Sequence, residues 1–262
     1  MLINKARILL TGATGGLGGA LAKQLAEAGA HLLLSGRDAK KLQALQLTLG
    51  AAASYIVADL NASEGVTTLV HAAQAERVNV LINNAGVSSF GLYDEQNWSA
   101  WEQVLSTNLI APMRLTQALL PQLKAQPQAS IVNVGSTFGS IPFAGFAAYS
   151  SAKAGLRGFS QSLRRELADT SVTVIHVAPR AISTPLNTAA VNALNQALGN
   201  TSDTPESVAR DIIKALAANT LESHIGFPER LFAWLNGFAP QLIDQGLRNK
   251  LATIKQHART QD

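Results

Sequence analysis

Tyr149 and Lys153 stand four residues apart in AYSSAK, residues 148 to 153. A phenol and an ammonium one helical turn apart share a face of a helix. That suits a proton donor with a cationic neighbour, and equally one turn of an ordinary amphipathic helix; the spacing alone leaves both open. A second grouping has a chemistry of its own. TGATGGLGG, residues 11 to 19, places Gly12, Gly16 and Gly18 in a loop that can turn sharply, expose backbone N–H groups and bring a helix N-terminus against a pyrophosphate. Thr14 and Leu17 in the same loop are further candidate contacts. Glycine also serves strand–helix turns in proteins that bind no nucleotide, so what surrounds the loop decides its weight.

The loop directly follows the first of six short apolar runs, RILL (7–10), HLLL (31–34), SYIVA (54–58), VNVLIN (78–83), SIVNV (130–134) and VTVIHVA (172–178). Each is nearly continuously apolar, as expected of parallel strands covered on both faces. Helical patterns lie between them, including 17–29, closed by Gly29, and 38–49, with Asp38 as its N-cap. This alternation predicts βαβ units with right-handed crossovers: a single-domain α/β protein with a Rossmann-like, doubly wound parallel sheet and helices on both faces. No linker or repeat interrupts it. From about residue 203 the pattern changes to a helical C-terminal extension. A helix has Pro205 in its first turn, a short strand reads SHIGF, and Leu231, Leu235, Phe238 and Leu242 recur at helical spacing, with Pro240 expected to break the segment.

The end of the second strand chooses between cofactors. An acid there would hold the ribose 2′-hydroxyl of NAD, whereas LLLSGRD offers Ser35, Gly36 and then Arg37. Arg37 can clamp a 2′-phosphate, with room left by Gly36, so NADP(H) is expected over NAD(H). Asp38 complicates this. As a helix cap it is neutral to the choice, but a carboxylate turned inward would favour NAD.

Bulk composition excludes several classes. At 262 residues, 47% hydrophobic with 20 glycines, the chain can bury one large core. The N-terminus MLINKA runs straight into a strand with no long apolar region or cleavage site, arguing against a signal peptide. No apolar stretch approaches the ~20 residues that span a bilayer, and there are no cysteines, which fits a cytoplasmic protein. A net charge of +4 on scattered basic residues, without interleaved aromatics, disfavours nucleic acid. His31, His71, His176, His224 and His257 show no metal-ligand spacing and read as surface or satisfied core histidines.

Together these residues resemble the short-chain dehydrogenase/reductase family over roughly residues 5 to 185. Thr11, Gly12, Gly16 and Gly18 fit its T-G-x-x-x-G-x-G pattern, NNAG at 83–86 is its usual ending of the fourth strand, and Ser136 ends the fifth strand thirteen residues before Tyr149. The resemblance implies an oxidoreductase interconverting a ketone or aldehyde and an alcohol. Tyr149 would protonate the carbonyl oxygen, Ser136 would hydrogen-bond it, and Lys153 would favour the phenolate and hold the nicotinamide ribose. A free tyrosine has a pKa of ~10, so its tuning matters. Asn108, in STNLIAP, matches the residue that helps hold a water linking the lysine to solvent. Pro112, four residues on, lacks the N–H that would bond the carbonyl of Asn108. By position, Asp59 would receive the adenine amino group with Leu60 beside it, and Asn84, Ala85 and Gly86 would run along the cofactor. Pro179, Ile182 and Thr184 in PRAIST would hold the carboxamide. Arg180 stands there in place of the family's glycine, and an arginine in solvent is favoured over one facing an anionic group.

The family's organisation divides the chain into a core over 1–185, a substrate lid over 186–204 and the extension over 205–262. Phe227, Phe232, Trp234 and Phe238 suit added core or dimer packing ahead of a hydrophobic substrate wall or a face resting on a membrane. The substrate is expected to be an apolar or acyl-like carbonyl. Helices around 97–125 and 148–168 resemble those that pair subunits in this family, implying a homodimer or homotetramer. Two rivals remain: a catalytically silent, nucleotide-binding redox sensor, and an isomerase or dehydratase on the same fold.

Overall fold

Seven parallel strands form one sheet in the order β3-β2-β1-β4-β5-β6-β7: β1 (Arg7–Thr11), β2 (His31–Gly36), β3 (Ala53–Val57), β4 (Val80–Asn83), β5 (Ala129–Val134), β6 (Val172–Ala178) and β7 (Glu222–His224). The computed structural model describes residues 1–259. Six strands lie where the apolar runs predict them, and β7 starts one residue ahead of SHIGF. The order of strand addition reverses between β1 and β4, the switch point at which open α/β sheets form their ligand crevice.

Strand side chains alternate between two cores because successive residues point to opposite faces. Ile8, Leu10, Leu32, Leu34 and Ile82 pack on one face against α1 (Gly16–Glu27), α2 (Ala39–Leu49) and α8 (Pro205–Ala218). Leu9, Leu33, Leu81, Ile131 and Val174 pack on the other against α3 (Ser63–Ala75), α5 (Ala111–Lys124) and α6 (Ala147–Glu166). The caps follow the sequence. Gly29 adopts φ 87° after α1, and the Asp38 carboxylate accepts the Lys41 N–H at the start of α2, 3.1 Å away.

Two local departures matter. Between α4 (Trp98–Leu105) and α5 the chain forms a π-turn over Ser106–Ile110, with the Ala111 N–H donating to the Ser106 carbonyl. Pro112 contributes, since its missing N–H and its ring bulk disfavour the α-helical register at the Asn108 carbonyl. The segment 186–204 contains a helix, α7 (Ala189–Ala197), whose Val191 and Leu194 join Phe90, Phe146, Ile254 and Ala258 in a separate apolar cluster. The extension folds as α9 (Glu229–Phe238), α10 (Pro240–Arg248) and α11 (Leu251–Ala258), with the break at Ala239 and Pro240. α11 buries Ile254 and Ala258, but α9 and α10 bury no residue, so added core packing does not describe them.

His176 corrects the expectation of satisfied histidines. It lies in β6, fully buried, against Gly135, where a Cβ would sit 2.2 Å from its Nε2. Among the described residues neither ring nitrogen has a hydrogen-bond partner. Burial holds its pKa down to about 4, Glu222 opposing and Arg157, His224 and Lys153 adding to the effect. The unfolded chain, titrating near 6.5, therefore takes up a proton that the fold refuses. Stability from this residue is complete above about pH 6.5 and declines as pH falls toward 4, by about 3 kcal/mol. Urea unfolding against pH should show this loss, and His176→Leu should remove that portion of it.

Candidate active site

The strands end on one side of the sheet, and the loops leaving them enclose a cavity of about 1110 Å³. Gly12, Thr14, Gly16, Leu17 and Gly18 line it from the β1–α1 loop, Ser35, Gly36 and Arg37 from the end of β2, and Asp59 and Leu60 from beyond β3. Asn84, Ala85 and Gly86 follow β4, Ser136 follows β5, Tyr149 and Lys153 project from α6, and Pro179, Ile182 and Thr184 follow β6. Every predicted site residue except Asn108 thus borders one space. Lys41 also lines it beside Arg37, a contact missed in the sequence because it lies inside α2 rather than at the strand end.

The glycine loop has the shape of an anion cradle. Gly12 has φ 65°, and a Cβ on it would lie 2.7 Å from the Ala85 Cα; a Cβ on Gly18 would lie 2.1 Å from the Gly12 carbonyl oxygen. Only glycine permits this close approach, which keeps the N-terminus of α1 open to a phosphate. Thr11 and Asn84 hold the cradle to β4. The Thr11 hydroxyl accepts from the N–H groups of Asn84 and Ala85, both at 3.0 Å, and the Asn84 amide donates to the carbonyls of Thr11 and Gly12 at 2.9 and 3.2 Å. The Asn84 side chain is therefore spent on positioning the loop. Asp59 caps its own loop, accepting the Asn61 N–H at 3.0 Å, while remaining on the cavity wall.

Deeper in, Ser136 and Tyr149 both line the cavity, and the Ser136 hydroxyl accepts the Phe138 N–H at 3.2 Å. Burial raises the pKa of the Tyr149 phenol, and the Ser136 hydrogen bond acts against that rise. Lys153 is buried, its Nζ 5.7 Å from the Tyr149 ring centre and donating to the Val134 carbonyl at 2.8 Å. Burial brings its pKa down to about 8. The lowering influence on the phenol thus comes from the serine.

Asn108 lies in the π-turn behind this group, fully buried. Its amide Nδ2 donates to the Val87 carbonyl at 2.7 Å and its Oδ1 accepts the Val87 N–H at 2.9 Å. The side chain is thus no bystander at a helix kink, because it fixes the backbone just beyond Gly86.

Arg180 is neither in solvent nor turned toward a free anion. Its Nε and a terminal NH2 donate to the two Asp203 carboxylate oxygens at 2.9 and 2.7 Å, and its other terminal nitrogen reaches Glu229 at 3.5 Å. The guanidinium fork matches a carboxylate at two points, which outcompetes exposure when two acids converge on it. It joins the loop after β6, the end of the 186–204 segment and the start of α9. Arg180→Ala leaves two half-buried carboxylates without their cation and should cost about 1–3 kcal/mol of stability. Arg180→Lys should recover only part, a difference readable in the Tm.

Fold and site together define a dinucleotide-type α/β protein carrying a serine, tyrosine and lysine at its switch point. A protein-family model described as short chain dehydrogenase matches residues 6–195. Dehydrogenase/reductase SDR family member 7B of Xenopus laevis is 33% identical over 261 residues, 92% of this chain and 80% of that protein. The 3-oxoacyl-(acyl-carrier-protein) reductase FabG of Escherichia coli is 33% identical over 183 residues, 69% of this chain and 75% of that protein. Among solved structures, the closed form of serine dehydrogenase complexed with NADP+ superimposes with a TM-score of 0.74 at 28% identity, covering 82% of this chain and 93% of that one. The chain belongs to the short-chain dehydrogenase/reductase family, oxidoreductases that act on CH–OH and C=O groups of small molecules with a nicotinamide cofactor. Among the described residues, no helix is long and apolar enough to cross a membrane.

Proposed function

We propose that the chain is an NADP(H)-dependent carbonyl reductase, or the corresponding alcohol dehydrogenase, acting on an apolar or acyl-like substrate, with Tyr149 as general acid and base. The observation that carries it is the gathering of Ser136, Tyr149 and the buried Lys153 in the one cavity that the glycine cradle also lines, with Ser136 acting on the Tyr149 phenol. The dinucleotide supplies the hydride. Gly12, Gly16 and Gly18 present the N-terminus of α1 to its pyrophosphate, with Thr14 and Leu17 alongside. Arg37, Ser35 and Lys41 take the 2′-phosphate, Asp59 and Leu60 border the adenine, and Ala85 and Gly86 run beside the ribose. Pro179, Ile182 and Thr184 face the carboxamide.

In reduction Tyr149 delivers its proton to the carbonyl oxygen while Ser136 donates a hydrogen bond to that oxygen. Burial keeps the phenol protonated through neutral pH, the state a proton donor requires. Lys153 holds the nicotinamide ribose, and Asn108 steadies the wall through Val87. The Asn108 carbonyl, without a donor from Pro112, is the candidate site for a water leading to Lys153.

The substrate end is apolar. Phe138 and Phe143 stack at 5.3 Å, Phe146 lies 5.1 Å from Phe138, and Val191, Leu194 and Leu198 of the proposed lid line the same space. A relative named as a 3-oxoacyl-(acyl-carrier-protein) reductase supports an acyl-like substrate. Turnover with NADPH should be at least about tenfold more efficient on medium-chain ketones and 3-oxoacyl thioesters than on sugars or polyols, since each buried methylene contributes about 0.8 kcal/mol. Activity confined to polar sugars would refute the substrate class. Exposed Ile110 and Met113 beside the paired-helix region support a homodimer or homotetramer.

A further inference from the structure

We propose that the outer face of α9 and α10 docks on an anionic lipid bilayer. Phe227, Leu231, Phe232, Trp234, Phe238 and Leu242 expose 77%, 50%, 42%, 62%, 74% and 57% of their surfaces, all within one short segment. Both helices lie on the protein rather than in it, since neither buries a residue. One side of α9 is pinned: the Asn236 amide donates to the Ser140 carbonyl at 2.9 Å, and Glu229 reaches Arg180. The opposite side is an uncovered apolar surface, on which Trp234 and Phe238 pack ring to ring at 4.9 Å. Contiguous apolar patches of this kind mark interaction sites.

The charges beside the patch select its occupant. The segment carries Arg230, Arg248, Lys250 and Lys255 against Glu229 and Asp244, and the charge of Glu229 is already engaged by Arg180. An exposed aromatic segment whose sequence also carries more cations than acids has the composition of a helix lying among anionic headgroups. A second copy seated here by two-fold symmetry would bring the same cations of both chains together. Exposed Ile110 and Met113, in the helices proposed above to pair subunits, lie outside this segment. Phe227 and Phe232 also line the cavity, so the docking face is continuous with the cavity mouth.

The full chain should co-sediment with vesicles of phosphatidylcholine mixed with phosphatidylglycerol, and less with phosphatidylcholine alone or at high salt. Trp234→Glu combined with Phe238→Glu should lower the bound fraction about tenfold or more while leaving nicotinamide-cofactor affinity unchanged. Wild-type protein that stays in the supernatant with both vesicle types overturns the proposal, as does a wild-type dimer that the double variant separates. A chain retaining Trp234 as its sole tryptophan, through Trp98→Phe and Trp101→Phe, gives a readout independent of the double variant's folding. Its fluorescence should be quenched by brominated acyl chains in the mixed vesicles, and the absence of quenching overturns the proposal.

Discussion

Tyr149→Phe should lower kcat for carbonyl reduction about a thousandfold, within the range that a positioned proton donor contributes, while NADPH affinity and Tm stay close to wild type. The ring still packs at the edge of Phe138, 6.3 Å between centres, so the wall survives the substitution. What disappears is the phenolic hydroxyl on which Ser136 acts. Because burial raises the phenol's pKa, wild-type reduction should persist through neutral pH, whereas alcohol oxidation, which needs the phenolate, should rise toward alkaline pH. Ser136→Ala removes the contact that lowers that pKa, so the oxidative limb should move to still higher pH. A Tyr149→Phe variant that kept its turnover would remove the tyrosine from the chemistry.

Arg37→Asp should lower kcat/KM for NADPH about a hundredfold, the worth of one or two charge-assisted hydrogen bonds at an exposed site, and narrow or reverse the preference against NADH. The Asp38 carboxylate accepts the Lys41 N–H and lies 3.7 Å from its ammonium, the helix-cap role that is neutral to the choice of cofactor. Gly36 sits where a Cβ would meet the Thr14 hydroxyl at 3.3 Å, which keeps the approach to Arg37 open. Equal kcat/KM for the two reduced cofactors in the wild type would contradict the assignment. Lys41→Ala should produce a smaller loss for NADPH in the same direction.

The sheet was legible because parallel strands buried on both faces must be continuously apolar, and RILL or VTVIHVA has no other economical use. The cap at Asp38 and the place of Pro205 in the first turn of α8 were legible for a local reason: a helix start has backbone N–H groups without intrahelical partners. That the candidate site residues other than Asn108 would border one cavity was also legible, from the strand ends, the glycine spacing and the family resemblance. Partners distant in sequence did not. Nothing local to Arg180 says that Asp203 and Glu229 close on it, nothing around His176 says that its nitrogens will face Gly135, and no spacing shows that Asn108 will bind the backbone of Val87. The proline at 112 signalled a disturbed helix but not its form, a π-turn over 106–110, because the register of the following helix is set by packing: a Cβ on Gly155 of α6 would lie 2.8 Å from Leu109. The helix within 186–204 was hidden by its small and polar residues, and Val191 and Leu194 gain apolar partners from distant Phe90, Phe146 and α11.

The most direct test of hydride transfer to a carbonyl uses NADPH deuterated on its nicotinamide, a panel of medium-chain ketones and 3-oxoacyl thioesters, and mass spectrometry of the product. The account predicts that an alcohol accumulates with one deuterium on the former carbonyl carbon, and that Tyr149→Phe, still binding NADPH, forms it about a thousandfold more slowly. Wild-type protein that binds NADPH yet transfers no label to any carbonyl would contradict the account and favour a nucleotide sensor.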